Sequence, residues 1–134
     1  QKALREAGIE PTDRLVREGD FSSETGYQRM VELIESKAHF TAVFAANDQT
    51  AYGAIKALHD HGQRVPDDVS VIGFDDLPTS KFFTPALTTL RQPIEELGVV
   101  CAQALLNLLS GQRHDARLPP MDLIVRQSTK SRYR

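Results

Sequence analysis

Two short apolar runs, each ending abruptly on amide or acidic side chains, constrain this chain more than any other feature. Ala42-Val43-Phe44-Ala45-Ala46 gives way to Asn47-Asp48, and Val69-Ser70-Val71-Ile72-Gly73-Phe74 gives way to Asp75-Asp76. Neither run shows the sustained alternation of a half-wet strand, so both read as buried strands of a parallel sheet. In an open α/β sheet, ligands bind just beyond the carboxyl ends of the strands. Asn47, Asp48, Asp75 and Asp76 are therefore expected at one rim, within reach of a small polar molecule.

The flanking segments alternate between helix and strand patterns. Residues 1–8 look like the end of a helix closed by Gly8, and Leu15-Val16 is a short strand candidate. Tyr27, Met30, Val31 and Ile34 share one face and predict a helix from about Ser23 to Ser36, entered through the capping residues after Asp20. A second helix starts at Asn47-Asp48, turns Ala51, Ile55 and Leu58 to the sheet, and stops at Gly62. Residues 75–86 read as a loop with one helical turn near Ser80, and 88–91 as a strand. Pro93 fits the first position of a long helix to about Ser110, with Ile94, Leu97, Cys101, Leu105 and Leu108 as its stripe. Residues 121–125 read as a final strand. Strands alternating with helices predict an α/β fold, a parallel sheet with right-handed crossovers and helices on both faces.

Composition narrows the function classes. The formal net charge of −2 over 134 residues provides no basic stripe for nucleic acid. The basic residues Lys130, Arg132 and Arg134 read as a solvated terminus. A single cysteine precludes an intrachain disulfide and suits a reducing compartment. No run approaches the ~20 apolar residues that span a bilayer, and no basic-then-apolar leader opens the chain. A cytoplasmic location, with no membrane partner, is the expectation.

The catalytic inventory is nearly empty. Cys101 lies in an apolar stripe and reads as a small core residue. His59 and His61, two apart on a helix, do not share a face, and His39 and His114 have no partner at metal-ligand spacing. There is no nucleophile elbow, P-loop or dinucleotide fingerprint. No cofactor is implied, and a binder is favoured over an enzyme. Asp48, Asp75 and Asp76 could hold Mg²⁺ as in a phosphoacceptor domain, but Asp48 reads better as a first-turn acid complementing its helix dipole. Asp75 reads better as an acceptor of ligand hydrogen bonds. Asn47 is either a ligand contact or a plain N-cap. Phe21 either stacks on a ring-shaped ligand or staples the following helix. Tyr52, Phe82 and Phe83 lie off the core stripes and suggest either a protein contact or a loop folded back onto its sheet.

Five segments carry a resemblance. Asp20-Phe21-Ser22-Ser23-Glu24-Thr25-Gly26-Tyr27, Ala46-Asn47-Asp48-Gln49-Thr50-Ala51-Tyr52-Gly53-Ala54, Val65 through Asp76, Thr84 through Pro93, and Arg126-Gln127-Ser128-Thr129 resemble the lactose/galactose repressor (LacI/GalR) family, in that family's order. The resemblance implies the carboxyl half of a two-lobed, periplasmic-binding-protein-like effector domain, incomplete in this chain. Residues 1–92 would be its C-terminal lobe, 93–119 a crossover helix that packs on the other lobe, and 120–134 the final strand and tail. The helix-turn-helix headpiece, the first lobe and an arginine that commonly helps hold the effector would lie outside this chain. Without its host lobe, the helix after Pro93 is expected to cover another sheet face or dock on a second copy.

By the same resemblance, Phe21 matches a stacking aromatic, Asn47 and Asp75 match polar effector contacts, and Gln92 lies at the lobe crossover near the effector. Tyr52 and Phe83 match dimer-interface positions, and Phe82 is grouped with them. The implied function is effector sensing by a homodimeric transcriptional regulator that reaches operator DNA only through its headpiece. The effector would be a sugar or sugar derivative, with a purine second. A sugar-binding protein of a transport system is the nearest alternative, and the Mg²⁺-dependent phosphoacceptor is the distant one.

Overall fold

A computed structural model describes residues 2–112 and 117–131. Among the described residues four α-helices and four strands follow in order: α1 (Lys2–Glu6), α2 (Ser23–Glu35), β1 (Ala42–Phe44), α3 (Asp48–Asp60), β2 (Ser70–Asp75), β3 (Thr88–Arg91), α4 (Ile94–Leu109) and β4 (Asp122–Ile124). The strands form one sheet in the order β1-β2-β3-β4. The first three are parallel, with Phe44 opposite Ile72 and Asp75 opposite Arg91. The last is antiparallel to β3, pairing Thr89 with Ile124. The wholly parallel sheet expected from sequence therefore holds for three strands. The fourth runs the other way because the chain returns along the β3 edge after α4.

The core forms where α2 and α3 pack together and α3 lies on β2. Met30, Leu33, Ala51, Ala54, Ile55, Leu58, Val71 and Leu87 are all buried in it. Glycine makes the helix crossing possible. A Cβ on Gly53 would stand 1.9 Å from the Ser23 carbonyl oxygen, and one on Gly26 would stand 2.3 Å from the Thr50 carbonyl oxygen. α2 begins at Ser22, whose hydroxyl accepts from Thr25 N–H at 3.1 Å. α3 begins at Asn47, whose side chain accepts from Thr50 N–H at 2.9 Å. Gly62 follows α3 at φ 73°, the left-handed stop that its position suggests.

The C-terminal motif Arg126-Gln127-Ser128-Thr129 is a structural clasp. Ser128 is fully buried; its hydroxyl donates to the Val71 carbonyl at 2.6 Å and accepts from Thr88 N–H at 2.8 Å. Its carbonyl accepts from Val71 N–H at 2.8 Å. Lys130 is not simply solvated, since it donates to Asp67 at 3.1 Å. Arg132, Arg134 and His114 lie outside the described residues.

Several expectations are corrected. Leu15-Val16 forms no strand: a 3-10 turn spans Asp13–Leu15, and both residues are exposed. β1 is not a buried strand, because it is the sheet edge and Phe44 is 65% exposed. α4 does not cover another sheet face. It contains no buried residue, so its stripe, including Cys101, is not core. An apolar helix stripe is buried only where another surface meets it, and none among the described residues meets α4.

Candidate functional site

Parallel pairing puts the carboxyl ends of β1, β2 and β3 at one edge of the sheet. Asn47 follows β1, Asp75 ends β2, and Gln92 follows β3. Phe21 is tied to the same end because the Asn47 amide donates to its carbonyl at 3.0 Å. The four residues expected to meet a ligand are thus gathered at one rim.

Their geometry separates their roles. Phe21 is 63% exposed and has φ 69°, so it is not a staple buried against α2. A bulky residue in the left-handed region is costly and marks a backbone held by its surroundings. The surroundings here are the Asn47 clamp and Asp20, whose carboxylate accepts from Ser22 N–H at 3.0 Å and from the Ser22 hydroxyl at 2.6 Å. The Ser22 hydroxyl beside it, with Thr25 and the Ser22 amide, lowers the Asp20 pKa to about 2. Asp75 also has a positive φ, 118°, and Asp76 follows at φ 59°. This double twist ends β2 and turns consecutive carboxylates to different partners. Asp75 Oδ1 accepts from Gln92 Nε2 at 2.6 Å. Asp76 accepts from Arg126 at 2.5 Å and from Arg91 at 2.7 Å. Burial pushes the Asp76 pKa up, but the bonds from Arg126 and Arg91 outweigh it, and the net shift is downward.

The acidic cluster does not assemble as a cation site. Asp48 is fully buried, and its carboxylate accepts from Leu77 N–H at 2.8 Å and from the hydroxyls of Ser80 and Thr89, each at 2.5 Å. Asp76 is held by two arginines, and no group of three metal-ligating side chains occurs among the described residues. The phosphoacceptor reading is set aside on that chemistry, because the carboxylates serve separate networks.

On another flank, Tyr52 stacks on Phe83 with ring centroids 4.5 Å apart and planes 22° apart. The Tyr52 hydroxyl bonds Ser80 and Thr79 at 2.7 and 2.8 Å. This pair is partly folded back onto the core. Phe82 points out, 78% exposed, with the Lys81 ammonium 4.8 Å above its ring.

Two hollows flank these features. One, of about 570 Å³, runs along β1 between residues 15–21 and the strand, with Met30, Leu33, Phe40 and Phe44 in its walls. It reaches Phe21 but neither Asp75 nor Gln92, so its apolar trough is distinct from the polar rim. The other, of about 660 Å³, lies between the end of α3 and Phe83.

Sequence reasoning missed the roles of two residues that organise the rim. Asp48 reads as a first-turn acid, but it joins α3 to the 77–80 loop and to β3. Arg126 braces Asp76 and also donates to the Leu87 carbonyl at 2.8 Å. Local sequence carries no sign of either role: Asp48 directly follows the N-cap Asn47, and Arg126 opens the polar Arg126-Gln127-Ser128-Thr129 segment.

Comparison with known proteins agrees with this architecture. The family described as periplasmic binding protein-like domain matches residues 1–129. The HTH-type transcriptional repressor PurR of Edwardsiella ictaluri is 46% identical over 116 residues, covering 87% of this chain and 34% of the relative. The lac repressor dimer bound to operator and the anti-inducer ONPF superposes with a TM-score of 0.87 at 36% identity, over 97% of this chain and 45% of that one. A sugar-binding transcriptional regulator of the LacI family from Escherichia coli, complexed with phosphate, gives a TM-score of 0.85 at 35% identity, over 95% and 46%. The chain spans about a third of the length of the curated relatives it matches. With its three parallel strands, its capped helices and its polar rim, the chain belongs to the periplasmic binding protein-like domain family, in the form found in the effector-binding domains of LacI/GalR regulators.

Proposed function

We propose that this chain supplies one wall of the effector pocket in a cytoplasmic LacI-type regulator, and that it is a sensor, not an enzyme. The observation that carries the reading is the exposed Phe21 ring, carried on a backbone held at φ 69°, on the same rim as the Asp75–Gln92 pair. A ring offers a stacking face. A carboxylate engaged through one oxygen keeps acceptor capacity for a ligand donor. The matching ligand is a small ring molecule with one apolar face and N–H or O–H donors on its edge.

Purine bases and sugars both have that form. Similarity to repressors named PurR favours a purine-type effector, whereas similarity to a sugar-binding LacI-family regulator keeps a sugar as the second reading. The ligand would alter operator binding by favouring one arrangement of the complete protein over another. Tyr52, Phe82 and Phe83 would belong to the surface that joins two copies, with Phe82 as its most exposed apolar element. Calorimetry on the full-length protein with adenine, hypoxanthine, D-ribose and D-galactose tests the reading. Saturable binding of one class, with a change in operator affinity, supports it. No binding of any of the four overturns it.

A further inference from the structure

Asn47 has two polar atoms, and both are engaged within the protein. Its Oδ1 accepts from Thr50 N–H at 2.9 Å and caps α3. Its Nδ2 donates to the Phe21 carbonyl at 3.0 Å, across 26 residues of sequence. The carbonyl belongs to a residue held at φ 69° with its ring in the open. Preceding and following residues restrain the same peptide, since Asp20 grips Ser22 through its N–H and its hydroxyl. Arg29 adds a third restraint by donating to the Glu18 carbonyl at 2.8 Å. The loop is therefore fixed at several points, and the clamp on Phe21 itself comes from the cap of another helix.

We propose that Asn47 is a positioning residue that acts on the effector through the Phe21 ring and makes no essential contact with the effector itself. The inference rests on the functional reading above, and it reassigns Asn47 within it. Phe21 on a free loop would lose rotational freedom when a ring ligand stacked on it, and that loss opposes binding. The Asn47 bond removes part of it in advance by holding the backbone that carries the ring. One side chain thereby links the start of α3 to the stacking platform.

Asn47→Ser isolates the clamp from the cap. Serine caps a helix about as well as asparagine, but its short hydroxyl replaces the amide that reaches Phe21. The experiment uses the full-length protein, the four compounds above, and a double-mutant cycle with Phe21→Ala. Asn47→Ser is expected to weaken the bound compound about tenfold, the equivalent of one hydrogen bond, and to leave the thermal midpoint close to the parent's. In the Phe21→Ala background the same change is expected to have no further effect. Asn47→Asp, which also keeps the cap, is expected to behave as Asn47→Ser, and it serves in its place if the serine variant does not fold. Equal loss in both backgrounds would mean that Asn47 meets the ligand directly and would overturn the inference alone. Unchanged affinity in Asn47→Ser would overturn it as well. If the parent protein binds none of the four compounds, the functional reading and this inference fall together.

Discussion

Asp48, at the start of α3, reaches Thr89 of β3 across the intervening strand, and the position it crosses is Gly73. Its Oδ1 accepts the Thr89 hydroxyl at 2.5 Å, and a Cβ on Gly73 would lie 2.3 Å from that same oxygen. The missing side chain is therefore what allows a fully buried carboxylate to bind α3, the 77–80 loop and β3 together.

Gly73→Ala is predicted to displace this carboxylate and Asp48→Ala to remove it. Either change leaves buried hydroxyl or amide donors without their acceptor, at about 1–3 kcal/mol for each unsatisfied group. Urea unfolding should show a loss of about 3 kcal/mol or more in Asp48→Ala. A loss below about 1 kcal/mol would show that the network does not hold these elements.

Two of the helical glycines, Gly53 and Gly98, are predicted to respond in opposite directions. A methyl at Gly53 meets the Ser23 carbonyl oxygen, so α2 and α3 must separate, and overpacking of this kind costs about 1–3 kcal/mol. A methyl at Gly98 meets nothing within 4 Å. There the helix preference for alanine, about 0.5–1 kcal/mol, acts unopposed. Thermal unfolding of both variants checks the contrast.

Acid should loosen the start of α2 in a defined window. The Asp20 pKa falls from 3.8 to about 2 in the folded chain, first through the Ser22 hydroxyl. A lowered carboxylate pKa means that its contribution is fully present above the unfolded value. That contribution disappears as pH falls from about 4 through about 2. Amide resonances of Ser22 and Thr25 followed by NMR should shift over that range. In Asp20→Asn the shift should be absent.

Arg126→Met is predicted to raise the pKa of Asp76. Burial already pushes this carboxyl up, and the arginine bonds hold it down. Removing the less exposed of its two arginine partners shifts the balance toward the protonated form. Carbon-detected NMR titration of the Asp76 carboxyl measures the shift directly. An unchanged titration would mean that Arg91 alone sustains the ionised state.

Much of this was legible in the sequence, for identifiable reasons. The spacing of Tyr27, Met30 and Ile34, the caps at Ser22 and Asn47 and the stop at Gly62 are local signals, and the helices they specify occur within a residue of the expected bounds. The rim was legible because apolar runs ending in Asn47 and Asp75 already imply the strand ends. What sequence could not show was dependence on a neighbour. Phe44 and Cys101 sit in apolar patterns, yet they are exposed because no described surface covers the Phe44 face of β1 or α4. The burial of Asp48 was equally hidden, because its three donors lie 29 to 41 residues away.

The most direct test compares effector binding by the full-length regulator with binding by its Phe21→Ala and Asp75→Ala variants. Phe21 is largely exposed, so its removal leaves the core intact, and a base or sugar that stacks on it should bind at least about tenfold more weakly. Asp75→Ala removes the acceptor that orients Gln92 and should cost as much or more. Parent-like affinity in both variants, measured by calorimetry on folded protein, would contradict the account.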